Sequence, residues 1–184
     1  MNLIGKLLIA PPSVKGKLWY KTVIMVTEHH RNGSIGLIIN KRSPVTVSEL
    51  GERIGIDIDL PGFVYIGGPI SPKSLSIIHS NDWRTSNTLR INEQFSLSSS
   101  EDMLTRLSKG DTPKEWRMIA GMCGWAEHQL MNEINGVLPY KHETSWCIAS
   151  SDPELVFETD NKEQWANALD KSGMEFAQNI LESL

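Results

Sequence analysis

Cysteine is scarce: Cys123 and Cys147 are the only two in 184 residues. So far apart in sequence, they form neither a disulfide framework nor a Cys-x-x-Cys redox or zinc pair. A basic excess is missing too. Lys and Arg number 18 against 22 Asp and Glu, a formal charge of −4, whereas a protein that grips phosphate backbones usually carries surplus positive charge. Direct nucleic-acid binding is therefore not expected. No apolar run approaches the roughly 20 residues needed to span a bilayer, and no membrane partner is expected. The opening stretch lacks a charged leader and runs into Pro11-Pro12. It reads as a strand rather than a signal peptide, which points to the cytoplasm.

Catalytic signatures are absent as well. There is no Gly-x-Ser-x-Gly elbow, no Ser-x-x-Lys pair and no His-Glu-x-x-His metal helix. His29, His30, His79, His128 and His142 are scattered without ligand spacing. Neither a metal nor a cofactor is expected, and the motifs lean away from an enzyme. What remains is an ordinary globular composition, 40% hydrophobic and 22% charged, with no repeat or heptad run. One domain over residues 1–184 is the expectation.

Short Ile- and Val-rich runs bounded by Gly, Pro or Asn predict strands at residues 3–10, 22–28, 34–40, 63–66, 75–79, 88–91, 116–122 and 146–150. Thr46 and Glu49 match a capping box, so a helix is expected to run from there to about Ile54. The serines of 96–100, the nearest thing to a linker, lead into Glu101 and Asp102 as a helix start, with hydroxyls capping free amides. Met103, Leu104 and Leu107 form the buried side of that helix and Gly110 its stop. Asp160 and Glu163 open a last, amphipathic helix whose Trp165, Leu169, Phe176, Ile180 and Leu184 recur at helical spacing as a face for the protein's own sheet. Gly173 within it suggests a kink or a close packing contact. Strands with irregularly interspersed helices indicate an α+β fold rather than the regular alternation of a doubly wound one.

Asn32-Gly33 between apolar runs predicts a two-residue type I′ hairpin, which needs positive φ at both central positions. That turn pairs Arg31 with Ser34, His29 with Gly36, Thr27 with Ile38 and Met25 with Asn40. Met25, Thr27, His29, Gly36, Ile38 and Asn40 would then share one face, with Val26, Glu28, His30, Ile35, Leu37 and Ile39 on the other. His29 opposite a glycine is either a ligand contact or a satisfied structural side chain. Gly67-Gly68-Pro69, directly after a strand, could turn several amides toward an anion, although a ligand-free turn is the commoner use. At residues 121–130 a strand is expected to break at Gly124 and enter a helix. Ala126, Leu130 and Ile134 would make one stripe and Trp125, Gln129 and Glu133 another, able to bind a ligand or to clamp a loop. Cys123 reads as a small buried hydrophobe.

Several of these stretches together resemble the bacterial YqgE/AlgH family. The resemblance runs from Gly5-Lys6-Leu7-Leu8-Ile9-Ala10-Pro11-Pro12 through Thr22-Val23-Ile24, Glu28-His29 and residues 33–40. It continues in Gly67-Gly68-Pro69-Ile70, His79, residues 121–130 with Glu133-Ile134, and Trp165 to Leu169 with Gly173. It implies an α+β fold whose mixed, bifurcated sheet curls into a pseudo-barrel, flanked by short helices and a C-terminal amphipathic helix. It also implies a set of shared residues: Glu28, His29, Gly36, Asn40, Gly67, Gly68, Pro69, Gly124, Trp125, Gln129 and Glu133, expected to gather on one surface. Thr27 stands where many members carry a cysteine, which excludes a redox role there. The family's usual label is that of a transcriptional regulator. The leading expectation is a non-enzymatic regulatory or binding protein acting through a protein partner or small ligand. The alternatives are a self-association module, or an enzyme or nucleotide-binding protein in which Gly67-Gly68 holds phosphate and His29 or Glu133 serves as acid or base.

Overall fold

The computed structural model describes residues 2–183, and within them the chain folds as one mixed sheet of ten strands with four α-helices around it. In chain order the elements are β1 (Lys6–Ile9), β2 (Val23–His30), β3 (Gly33–Ile38), β4 (Arg42–Thr46), α1 (Val47–Ile54), β5 (Phe63–Ile66), β6 (Ile70–Ser80), β7 (Leu89–Arg90), β8 (Phe95–Ser98), α2 (Glu101–Ser108), β9 (Trp116–Ala126), α3 (Gln129–Asn135), β10 (Cys147–Ser150) and α4 (Gln164–Glu182). The strand order is β10-β1-β2-β3-β9-β6-β8-β7, with β4 and β5 branching from β9. Only the β5–β9 pair is parallel. The long β9 is the fork: residues 118–120 pair with β5, and residues 123–126 pair with β3 along the same strand. Splitting at β9, the sheet curls into a half-barrel, the expected α+β architecture.

The local signals explain many of the elements. The α1 capping box is present, with Glu49 N–H donating to Thr46 Oγ1 at 3.1 Å and Thr46 N–H to Glu49 Oε2 at 2.8 Å. Gly55, at φ +74°, closes that helix in the left-handed conformation. Helix α2 follows Ser100, but no side-chain cap bond forms; the Ser100 hydroxyl donates to the Asp102 carboxylate instead. Its serine lead is not a linker either, since residues 96–98 belong to β8, with Ser96 and Ser98 buried. Strand β4 carries no clear strand pattern and was not expected. The run at 88–91 contributes only the two-residue β7, and α4 begins at Gln164 without a side-chain cap.

The hairpin differs from its expectation. His30 pairs with Gly33 and His29 with Ser34, so the loop is Arg31-Asn32, and a bulge at Thr27 shifts the register so that Val26 faces Gly36 and Met25 faces Leu37. Neither Arg31 nor Asn32 has positive φ; Gly33 does, at +145°. A slip of this kind exchanges faces. Val23, Met25, Leu37 and Ile39 share one core cluster with Phe95, Ile119 and Ala168, whereas Ile24, Val26 and Ile38 pack on Cys123, Trp125 and Leu130. The third strand overrides the turn preference: a Cβ on Gly33 would lie 2.5 Å from the Trp125 carbonyl of β9, so the glycine is needed against β9 rather than in the turn.

Two tethers hold α4. Buried Arg117 stacks over the Tyr65 ring at 4.2 Å and donates to the Ile39 carbonyl and to Gln164 Oε1, and Gln164 Nε2 donates to the Leu155 carbonyl. At the sheet's end, Ser172 Oγ donates to the Ile148 carbonyl at 2.8 Å and the Glu175 carboxylate accepts the Ser150 N–H at 2.9 Å. Side chains of α4 thus engage the edge strand β10 that would otherwise invite pairing. Trp165 and Leu169 pack on the core as expected, but Phe176 is 68% and Ile180 46% exposed, so the second half of the stripe does not dock; Leu184 lies outside the described residues. The helix passes through Gly173 uninterrupted, and a Cβ there would meet nothing within 4 Å.

Gly67 and Gly68 instead sit where two backbones cross. Added Cβ atoms would lie 2.2 Å from the Gly121 carbonyl and 2.2 Å from the Met122 carbonyl. Gly67→Ala is therefore expected to lower unfolding stability by about 3 kcal/mol, whereas Gly173→Ala should raise it by about 0.5–1 kcal/mol through helix propensity. Urea titration of both variants checks the contrast.

Candidate ligand-binding cavity

The expected strand-to-helix break at Gly124 does not occur. Strand β9 continues to Ala126 because residues 123–126 find a partner in β3, and backbone pairing across the sheet overrides the local glycine. The turn comes at His128, at φ +63°, and α3 then folds back beside the end of the strand. Trp125 is thus a strand residue, yet it still meets Gln129 and Glu133. Trp125 Nε1–H donates to Glu133 Oε2 at 3.0 Å, Trp146 Nε1–H donates to the same oxygen at 2.7 Å, and Gln129 Nε2–H donates to Glu133 Oε1 at 2.9 Å. Gln129 Oε1 in turn accepts the Ala126 N–H at 3.0 Å. One carboxylate therefore fastens the end of β9, the first turns of α3 and the residue preceding β10. Hydrogen bonds to an ionised acceptor are the stronger kind, and a network in which every member is paired fixes one geometry.

Around this network lies a cavity of about 400 Å³. Its walls are the indoles of Trp19, Trp125 and Trp146, together with Tyr140, Val14, Ile70 and Pro69, with Gly124, Gln129 and Glu133 at one side. Trp19 meets Trp146 edge-on, with centroids 6.1 Å apart and planes at 76°. The Trp125 ring has room because of Gly36, where a Cβ would lie 3.3 Å from the Trp125 ring and 2.7 Å from Ile24 Cγ2. Cys123, on the wall, is buried, and burial pushes its thiol up to about 12, so it contributes volume and no thiolate at neutral pH.

Sequence comparison supplies the lineage. The AlgH-like family profile matches residues 7–177. The chain belongs to the AlgH-like family. Relatives known as UPF0301 proteins cover nearly its whole length: one from Methylococcus capsulatus is 31% identical over 95% of this chain and 92% of its own. Another, from Photobacterium profundum, is 30% identical over 95% and 94%. The solution structure of the AlgH protein from Pseudomonas aeruginosa superposes with a TM-score of 0.75 at 26% identity, covering 93% of this chain and 89% of that one. A Corynebacterium diphtheriae protein shares the fold, with a TM-score of 0.67 at 22% identity over 91% and 85%.

Within this AlgH-like chain the residues expected from the resemblance to gather on one surface do not form one surface. Pro69, Gly124, Trp125, Gln129 and Glu133 line the cavity. Gly36, Gly67 and Gly68 support it from behind as close-packing positions. The Gly67 N–H is already bonded to the Ala120 carbonyl at 2.7 Å and its own carbonyl accepts from Ile38, so it is not an amide held ready for an anion. Asn40 is structural: it accepts the Val23 N–H at 2.9 Å and donates to the Lys21 carbonyl at 2.8 Å. His29 stands opposite Ser34, not Gly36, with Nδ1 and Oγ 2.7 Å apart, and opens into a separate cleft with His128 and Met131. Glu28 lies 3.7 Å from the exposed His30. Among the described residues no group of three or more His, Cys, Asp or Glu could hold a metal ion, and no helix is long and apolar enough to cross a membrane. Trp19, Tyr140 and Trp146 were not singled out from sequence. They sit in loops or at a strand entrance without periodicity, and only an unusual count of six tryptophans hinted at an aromatic wall.

Replacing the carboxylate by an amide puts an NH2 against an N–H donor. Glu133→Gln is expected to cost about 1–3 kcal/mol and to red-shift tryptophan emission, read by urea unfolding and fluorescence. His79, buried between the Ser98 hydroxyl at 2.9 Å and the Ser80 carbonyl at 2.8 Å, has its pKa lowered from 6.5 chiefly by burial. Its contribution to stability is therefore complete above 6.5 and is lost as pH falls below that value, because the unfolded chain takes up the proton first. Between pH 7 and pH 5 the stability of the protein should decline more steeply than that of His79→Asn, as measured by denaturant titration at each pH.

Proposed function

We propose that this AlgH-like protein is a non-enzymatic binding protein of a regulatory kind, acting by holding a small, largely apolar and aromatic ligand in the cavity between Trp19, Trp125 and Trp146. The observation that carries this reading is the engagement of Glu133. The one carboxylate on the cavity wall among the described residues receives three N–H donors, so it stiffens the walls rather than standing ready as an acid or base. A pre-formed concave site with aromatic walls and a few placed polar groups is the usual form of a small-molecule site. The high thiol pKa of Cys123 favours the same reading. The nucleotide-processing alternative is weaker, because Gly67, one half of its Gly67-Gly68 phosphate cradle, already spends its amide on Ala120.

A thermal-shift screen against metabolites, repeated with Trp19→Ala, tests the proposal. A ligand at about 100 times its Kd adds about 2.7 kcal/mol to apparent stability, enough to raise Tm by several degrees. The expected outcome is a shift in the wild-type protein that the variant loses. Shifts that persist unchanged in Trp19→Ala, or a screen in which no compound stabilises the protein, would overturn it.

A further inference from the structure

The cavity has a backbone wall whose polarity follows from strand geometry. In a β-strand the N–H and C=O of one residue point to the same edge, and successive residues alternate edges. Three contacts fix the direction here. The Ile38 N–H is turned to the β9 side of β3, where it meets the Gly67 carbonyl at 2.9 Å. The Trp125 carbonyl faces β3, close to Gly33, whereas the Ala126 N–H points the other way, to Gln129 Oε1. By alternation the N–H and C=O of Gly124 also point away from β3. That edge has no strand beside it at this level, since the last pair between β6 and β9 is Ile70 with Met122. Gly124 is exposed and lines the cavity, and among the described residues no side chain is bonded to it.

An open donor–acceptor pair could recruit a further β-strand, but this one is too short. Toward the N-terminus of β9, Met122 is already paired with Ile70, and toward the C-terminus the next outward N–H, that of Ala126, is taken by Gln129. A single two-bond rung remains, at the side of an aromatic-walled space of about 400 Å³. From this juxtaposition we infer that the cavity is selective for a planar heterocycle carrying an acceptor and a donor side by side, a cyclic amide or amino-azine of which nucleobases are the commonest biological example. Its donor–acceptor edge binds the N–H and C=O of Gly124, and the indoles enclose its rings. The inference rests on the ligand-holding reading above and adds the chemical class. Stacking and edge hydrogen bonds are the general means of recognising such rings.

The test uses small probes rather than an unknown ligand. Isothermal titration calorimetry compares 2-quinolinone, whose bicyclic ring bears one lactam edge, with N-methyl-2-quinolinone, which lacks the donor, and with adenine and hypoxanthine as biological members of the class. The lactam should bind at least about tenfold more tightly than its methylated form, because methylation both deletes a bond and leaves the Gly124 carbonyl unpaired. Gly124→Pro, which has no N–H to offer, should abolish the difference. The comparison of the probe pair on the wild-type protein decides the matter even if that variant does not fold. Equal binding of the lactam and its methylated form would overturn the donor–acceptor inference and leave the aromatic cavity as a binding site. Binding of none of the probes would overturn the inference and count against the ligand-holding reading as well.

Discussion

Three N–H groups from Trp125, Gln129 and Trp146 converge on the Glu133 carboxylate, and the shape of the cavity depends on that convergence. Each donor comes from a different part of the chain: the end of β9, the first turn of α3 and the residue before β10. Left unpaired, any of them would cost more than an ordinary hydrogen bond contributes, because they are partly buried. A carboxylate with two oxygens and several lone-pair sites can accept all three at once; a hydroxyl or amide cannot. The indoles of Trp125 and Trp146 are therefore held as walls.

Behind those walls the constraint is steric. Backbone approaches strand β9 within van der Waals contact at Gly67, Gly68 and Gly33, and Gly36 leaves room for the Trp125 ring. Side chains at these positions would push β3 and the segment leading into β6 away from β9. The fork in the sheet would then open, and with it the gap beside Gly124. Gly33, Gly36, Gly67 and Gly68 thus act one packing layer behind the cavity wall, whereas Gly124 lies on the wall itself.

The fold was legible in sequence where a local device sets a local structure. The capping box at Thr46 and Glu49, the apolar runs of β1, β2, β5 and β9, and the burial of Cys123 all came through, because burial and capping act over a few residues. The site was legible in part: Pro69, Gly124, Trp125, Gln129 and Glu133 do meet. Trp125 reaches its partners from a strand rather than from the expected helix, and His29 and Asn40 serve other places. The hairpin register was misread because turn propensity, worth little by itself, competes with the packing of two buried faces and a third strand. The second half of the α4 stripe was read as buried because periodicity reports an apolar face and says nothing of whether a surface lies opposite it.

The sequence by itself determined the α+β character, the lack of a basic excess, the scarcity of thiols, and the family to which the chain belongs. Tertiary structure alone decided the slip of β2 on β3, the extension of β9 past Gly124, and the meeting of Trp19 and Trp146 with Trp125 around one carboxylate. The physical reason is range. Propensity and capping are settled among neighbours along the chain, whereas a cavity wall is assembled from groups that meet only after long loops have closed, and its form belongs to the packing rather than to any one segment.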